Sequence, residues 1–235
     1  MYIYETHLHT NYVSACAIKT PKEQVYDYKK RGYTGIIVTD HFLNGNAFNP
    51  GKRKWNDKCD FFMSGYMEAK MHGNNCGLDV FFGWEYSTGG LDFLTYGLGF
   101  DFLSKHPELM SSLKIEEYSK LVREAGGYIA QAHPFRKTNW IKKPGAVNPK
   151  YLDGIEVINR GHRRRFDTEA LIFAEENNLP MQGGSDSHGY DMSVTSGIRL
   201  ENKAKDIFDI INAIKSGKAE PVLIENGIEI NQTNH

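Results

Sequence analysis

An α/β fold of the barrel kind is predicted by three observations. Short apolar, β-branched runs alternate with helical segments along the chain. These runs pass directly into histidines and acids. A length of 235 residues suits one large domain with one core, and the domain is expected to span residues 1–235.

The first run, Tyr2-Ile3-Tyr4, opens a strand leading into Glu5-Thr6-His7-Leu8-His9. Side chains alternate faces in an extended segment, so His7 and His9 point the same way, close enough to share one ion. Thr20-Pro21-Lys22-Glu23 places a capping residue, a proline at the first helical position and Glu at the third, which starts a helix. It runs to Lys29-Lys30-Arg31, cations at the negative end of the dipole, and stops at Gly32. Gly35 to Thr39 reads as a buried parallel strand ending at Asp40-His41.

Residues 43–58 read as a long loop over the strand ends, with Phe42, Phe48 and Trp55 able to stack on a ring or to pack internally. A helix through Phe62 to His72 follows, then an apolar run Val80 to Trp84 leading into Glu85, then a strand Phe93 to Leu98. Helical spacing from Ile115 to Glu124 ends at Gly126-Gly127 and gives way to Tyr128 to Ala132, then His133-Pro134. Gly154 to Asn159 is another buried strand, followed by a basic loop Arg160 to Arg165 and a helix from Asp167 to about Asn177. Gly183-Gly184-Ser185-Asp186-Ser187-His188 follows Pro180-Met181-Gln182, and a helix from Asp206 to Ser216 precedes a last strand near Val222 to Ile224.

His7, His9, Asp40, His41, Glu85, His133, Asp186 and His188 thus fall after predicted strands from five places in the chain, and five of the nine histidines are among them. In an α/β barrel the loops at the strand C-termini converge on one mouth, so these residues become neighbours. Imidazole with carboxylate and no thiolate suits zinc, manganese or iron. Glu85 follows a wholly apolar strand, where an unpaired charge is costly and metal coordination offsets it. Two ions bridged by a carboxylate are the machinery of phosphate ester hydrolysis.

Composition excludes some classes. With 28 basic and 29 acidic residues the formal charge is −1, so no global field recruits nucleic acid or an anionic membrane, and neither is expected as a stable partner. The first residues lack the cationic and apolar regions of a signal peptide, and no run approaches the roughly 18 apolar residues of a membrane span. A cytoplasmic protein is expected. Cys16, Cys59 and Cys76 are odd in number and form no CxxC pair, which argues for reduced thiols.

In this order and spacing, His7-x-His9, Thr39-Asp40-His41, Glu85, Ala132-His133-Pro134 and Gly184-Ser185-Asp186-Ser187-His188 resemble the motifs of the PHP domain, the polymerase and histidinol phosphatase family. The resemblance covers residues 1 to about 200 and includes Glu156-Val157-Ile158-Asn159. It implies a distorted, TIM-like (β/α)7 barrel with two to three divalent ions, Zn, Mn or Fe, at the C-terminal mouth. Carried over position by position, one ion takes His7, His9, Glu85 and Asp186, and a second takes Glu85, His133 and one more residue. Many relatives have a histidine where this chain has Asp92, an acceptable replacement ligand. A third ion takes His41 and His188 in relatives, together with an acid or histidine past the first motif. Ser14-Ala15-Cys16-Ala17 offers neither, leaving Cys16 either a ligand or a small packed side chain. If that site is incomplete, His41 and His188 become candidate acid or base groups, or phosphate donors, with Asp40 orienting a neighbour.

Arg136, Arg160 and His162 are candidate phosphate contacts. With no polymerase partner domain expected, the implied function is hydrolysis of a small phosphomonoester, histidinol-phosphate-like or nucleotide-like, by a metal-bound hydroxide. The alternatives are a nucleotide phosphodiesterase or nuclease, and a non-catalytic module that binds metal and phosphate.

Overall fold

The computed structural model describes residues 1–139, 141, 144–161, 165–190 and 193–230. Its centre is β1 (Tyr2–Leu8), parallel to β2 (Gly35–Val38), which is parallel to β3 (Asp79–Thr88). A tight turn at Gly89-Gly90, both at positive φ, reverses the chain into the antiparallel β4 (Leu91–Tyr96). Beyond it lie β5 (Tyr128–Gln131), β6 (Gly154–Asn159) and β7 (Met181–Gly184), again running with β1. On the other flank of β1 come β8 (Val194–Leu200), β9 (Glu220–Glu225) and β10 (Ile228–Ile230), each antiparallel to its neighbour. The ten-stranded sheet curls until β7 meets β1: Thr6 Oγ1 donates to Gly183 O at 2.7 Å, and His9 N to Ser187 O at 2.9 Å.

This architecture departs from a barrel of seven parallel strands. Seven strands share one direction, β4, β8 and β10 run against them, and among the described residues β7 forms a ladder with β6 alone. β8 and β10 escaped the sequence reading because a strand of a mixed sheet needs no continuous apolar run.

Helices cover the outer face. α1 (Pro21–Lys30) carries the anticipated capping box, Thr20 and Glu23 each bonding the other's backbone. α2 (Trp55–Cys76) begins seven residues earlier than the Phe62 edge read from the sequence. Trp55 anchors that start by donating to Leu103 O at 2.7 Å, so it packs rather than stacking on a ligand. Phe42 is likewise buried, edge-on to Phe62, and Phe48 alone of the three stays largely exposed. α3 (Phe100–Lys105), α4 (Ile115–Glu124), α5 (Arg165–Asn177) and α6 (Ile207–Lys215) complete the layer. The largest core cluster gathers Trp84, Phe62, Tyr86, Tyr118 and Ile155, with Trp84 Nε1 donating to Tyr118 Oη at 2.8 Å. That core holds β3 rigid, and β3 carries Glu85. No helix among the described residues is long and apolar enough to cross a membrane, and all three cysteines are free.

Candidate metal centre

Alternation along β1 sends Glu5, His7 and the following His9 to the interior face, all fully buried. Glu85 lies within β3 rather than beyond its end, paired with Leu94. His133 and Asp186 sit just past β5 and β7 at φ 29° and 51°. Left-handed backbone at a non-glycine residue costs on the order of 1–3 kcal/mol and persists where surrounding structure enforces it. Asp92 reaches the same rim because β4 is antiparallel, which places its first residues beside the last of β3.

The ligand atoms converge. His7 Nε2 and His9 Nε2 are 3.1 Å apart. Asp186 Oδ1 is 3.4 Å from the first and 3.2 Å from the second. Glu85 Oε1 is 3.4 Å from His7 Nε2, and Oε2 is 3.5 Å from His9 Nε2. Donors about 2.0–2.1 Å from a tetrahedral ion are separated by about 3.3 Å, so these spacings fit the edges of a coordination shell. His133 Nε2 lies 3.0 Å from Glu85 Oε1, and Asp92 joins that pair in a second group. His9, His41 and His188 form a third. The fully buried Glu85 also reaches His41, with Oε2 2.7 Å from His41 Nδ1, an ion-pair contact at the edge of the cluster.

Neighbouring groups fix the ring tautomers. His7 Nδ1 is 3.1 Å from Glu156 Oε1, and His188 Nδ1 is 2.9 Å from Asp186 O. Both partners only accept, so each Nδ1 carries the proton and each Nε2 presents a lone pair. Ser14 Oγ donates to Asp40 at 2.7 Å and accepts from His41 N at 2.9 Å, leaving it an acceptor for His9 Nδ1 at 3.1 Å. Asp40 also accepts from Thr10 N and Thr10 Oγ1, so it braces this loop and orients Ser14 instead of facing the cluster.

Electrostatics reflect the crowding. Burial opposes the Glu85 and Asp186 charges, yet neighbouring imidazoles, with Arg136 for Asp186, hold both pKa values well below the usual range. Burial also opposes charge on His7, but Asp186, Glu156 and Glu85 outweigh it and raise its pKa well above normal. Burial with His188 and His41 nearby drives His9 the other way. His41 is raised by Glu85 against the effect of burial. The acids thus favour positive charge at the rim, which a divalent cation would also supply. Burial, reinforced by Glu85, raises Asp92, while burial raises Asp40 against its hydrogen bonds.

The expected phosphate contacts divide. Arg136 Nη1 is committed to Asp186 Oδ2 at 2.6 Å, with Nη2 3.8 Å from Asp92, so it clamps the ligands. Arg160 Nε is buried without a partner among the described residues, and Arg160 lines a 490 Å³ cavity together with Arg136, Asp186, His188 and Tyr190. An adjoining 440 Å³ cavity is lined by His41, Ser87, Asp92 and, again, Asp186 and His188. His162 lies outside the described residues.

The sequence reading gave no role to Glu156 or Glu5. Glu156 Oε2 accepts from His133 N at 2.9 Å and Asn159 Nδ2 at 2.8 Å while Oε1 faces His7 Nδ1, so one carboxylate holds two candidate ligands, His7 and His133. Glu5 accepts from Tyr28 Oη, Ser185 N and His7 N, and burial lifts its pKa to about 7. An acid inside an apolar strand was the available signal for both.

A curled, mixed sheet that gathers imidazoles and carboxylates on one rim defines an α/β protein whose clustered side chains could hold divalent metal ions. Residues 165–219 match the family model described as PHP-associated. The fold is shared with a Bifidobacterium adolescentis protein assigned as a metal-dependent phosphoesterase, at TM-score 0.57 and 16% identity over 90% of this chain and 94% of that one. A two-domain Bacteroides vulgatus protein containing a PHP-like metal-dependent phosphoesterase assignment aligns at TM-score 0.62 and 13% identity, over 98% of this chain and 66% of that one. Endonuclease Q, bound to a 27-mer duplex with an abasic lesion at its active site, aligns at TM-score 0.62 and 15% identity, over 93% of this chain and 58% of that one. No curated protein matches this sequence. The matched segment thus resembles a PHP-associated region, and the chain shares its fold with proteins described as PHP-like metal-dependent phosphoesterases.

Proposed function

We propose that this chain is a metal-dependent phosphoesterase that hydrolyses a small phosphomonoester, working as one PHP-type unit. The observation that carries the reading is the set of His7, His9, Glu85 and Asp186 donor atoms 3.1–3.5 Å apart, at coordination-shell spacing, on one buried rim. In this reading those four residues hold one ion, Glu85, His133 and Asp92 a second, and His41 and His188 contribute to a third. When bound, the ions neutralise a phosphoryl group and acidify a water for attack. The protein's own part is placement. Glu156 and Ser14 fix ring orientation, Arg136 keeps Asp186 charged and aimed, and Arg160 offers a guanidinium to a phosphate oxygen. His41 and His188, at the edge of the cluster, are placed to hold or pass the proton of a leaving alcohol. The two cavities beside the rim fall in the size range of small-molecule sites.

Elemental analysis of unchelated protein should find two to three ions per chain, with turnover of a phosphomonoester in the same sample. Glu85→Ala should lose metal and lower turnover on the order of a hundredfold or more. Full metal content and full turnover in that variant would remove the centre as assigned. The shared fold with Endonuclease Q favours testing a phosphodiester second. Cleavage of a diester or an abasic duplex without cleavage of a monoester replaces the substrate class, and metal with phosphate binding but no turnover leaves a binding module.

A further inference from the structure

The mouth holds two cavities of unlike chemistry. Both touch Arg136, Asp186 and His188, and they diverge from there. The 440 Å³ cavity adds Asn46, Ser87 and Asp92, an amide, a hydroxyl and a carboxylate that offer little apolar surface. The 490 Å³ cavity instead adds Arg160, Tyr190, Val194 and Thr195. Val194 and Thr195 reach it because β8 runs against β1, so the first residues of β8 lie beside the end of β1 that carries the candidate histidine ligands.

Tyr190 is 67% exposed and makes neither a hydrogen bond nor a ring contact with another described residue. The core tyrosines behave otherwise: Tyr86 stacks on Tyr118 and Tyr96 on Tyr128. A single exposed tyrosine is ordinary on a surface, but one that lines a cavity beside an unpaired guanidinium suits a ligand with one charged end and one flat end. Charge decides which cavity takes the organic part of such a ligand. A phosphoryl group held at the rim has oxygens to spare for Arg160, whereas Arg136 is already committed to Asp186 at 2.6 Å. The 440 Å³ cavity brings a further carboxylate, Asp92, and no further cation.

Resting on the phosphomonoester reading above, we infer that the alcohol part of the substrate lies in the 490 Å³ cavity and carries a planar ring that stacks on Tyr190. Tyr190 is then the specificity-determining residue, selecting ring-bearing esters over aliphatic ones. The contact is made by the ring face, so it needs aromaticity at this position and not the hydroxyl. Losing one aromatic stacking partner weakens the binding of a flat ring about tenfold or more.

The test is steady-state kinetics of the metal-loaded full-length chain on benzyl phosphate and cyclohexylmethyl phosphate, two esters of primary alcohols matched in size that differ in planarity. Wild type should show a KM about tenfold lower for the benzyl ester. Tyr190→Ala should raise the benzyl KM about tenfold or more, keep kcat within about twofold, and leave the cyclohexylmethyl KM unchanged. Tyr190→Phe should behave as wild type, and Asn46→Phe, which crowds the other cavity, should leave both KM values alone. Equal KM values for the two esters in wild type, or a benzyl KM untouched by Tyr190→Ala, overturns the inference and leaves the phosphomonoesterase reading standing. A KM raised by Asn46→Phe in place of Tyr190→Ala does the same. Absence of phosphomonoester turnover in the metal-loaded wild type overturns that reading and the inference with it.

Discussion

At the scale of single residues, the centre depends on groups that touch the candidate ligands as much as on the ligands. Glu156 is the clearest case, since it fixes the His7 tautomer and also accepts the His133 backbone N–H. Glu156→Gln puts an amide donor among donors, so metal affinity should fall about 10–100-fold, measured by competition with a chromophoric chelator. Unchanged affinity would mean that His7 is aimed by packing alone. Glu5 makes a different prediction. Its pKa of about 7 lies above the ordinary 4.5, so the native state holds a proton that the unfolded chain releases. The stability it contributes is complete below pH 4.5 and is lost as pH rises through 7, by roughly 3 kcal/mol. Glu5→Gln should flatten the pH dependence of urea unfolding across that window in chelated protein, and an unaltered slope would contradict the assignment.

At the scale of elements, close approach between strands decides what fits. β7 lies so near β1 that a methyl group on Gly184 would sit 2.5 Å from both His7 Cβ and Glu156 Oε1. Gly184→Ala should therefore cost about 1–3 kcal/mol in denaturant unfolding and weaken metal binding together. A stability loss with metal affinity intact would uncouple the β1–β7 seam from the site. Strand direction matters as much as strand contact. Asp92 belongs to the rim only because β4 is antiparallel, with Ser87 Oγ donating to it at 2.6 Å across the hairpin.

At the scale of the molecule, the interior carries more buried charge than a single core comfortably holds. Glu5, Glu85, Glu156 and Asp186 are all buried, with Arg136 against Asp186 and the His7 and His133 rings against Glu85. An ion that binds the folded chain and not the unfolded one adds about 2.7 kcal/mol at a hundred times its dissociation constant. Stripping the ions with a chelator should thus lower the unfolding temperature by at least about 5 °C, and re-addition of zinc should restore it. No change in a calorimetric scan would indicate that the cluster is balanced by protons alone. Because the chain's formal charge is only −1, capture of the proposed phosphorylated substrate would depend on local groups such as Arg160 and not on a long-range field.

Local chemistry was legible in the sequence. The capping box of α1, the spacing of α4 and the extent of β6 follow from short-range rules and appear where they were expected. So does the meeting of His7, His9, Glu85, His133 and Asp186, because β-branched runs ending in donors mark one rim of a sheet. Other features depend on contacts distant in sequence, which no local pattern encodes. The reversal of β4 that brings in Asp92 is one, and the open, ten-stranded form of the sheet is another. Arg136 is committed to Asp186 because a loop after β5 folds across to one after β7, and the tautomers are set by Glu156 and Ser14 from separate strands and loops. The sequence by itself determined which side chains could bind a metal. Tertiary structure alone decided at what distances they meet and which neighbours, such as Glu156, Ser14 and Arg136, orient them, because distances of a few ångströms between remote segments are set by packing of the whole sheet.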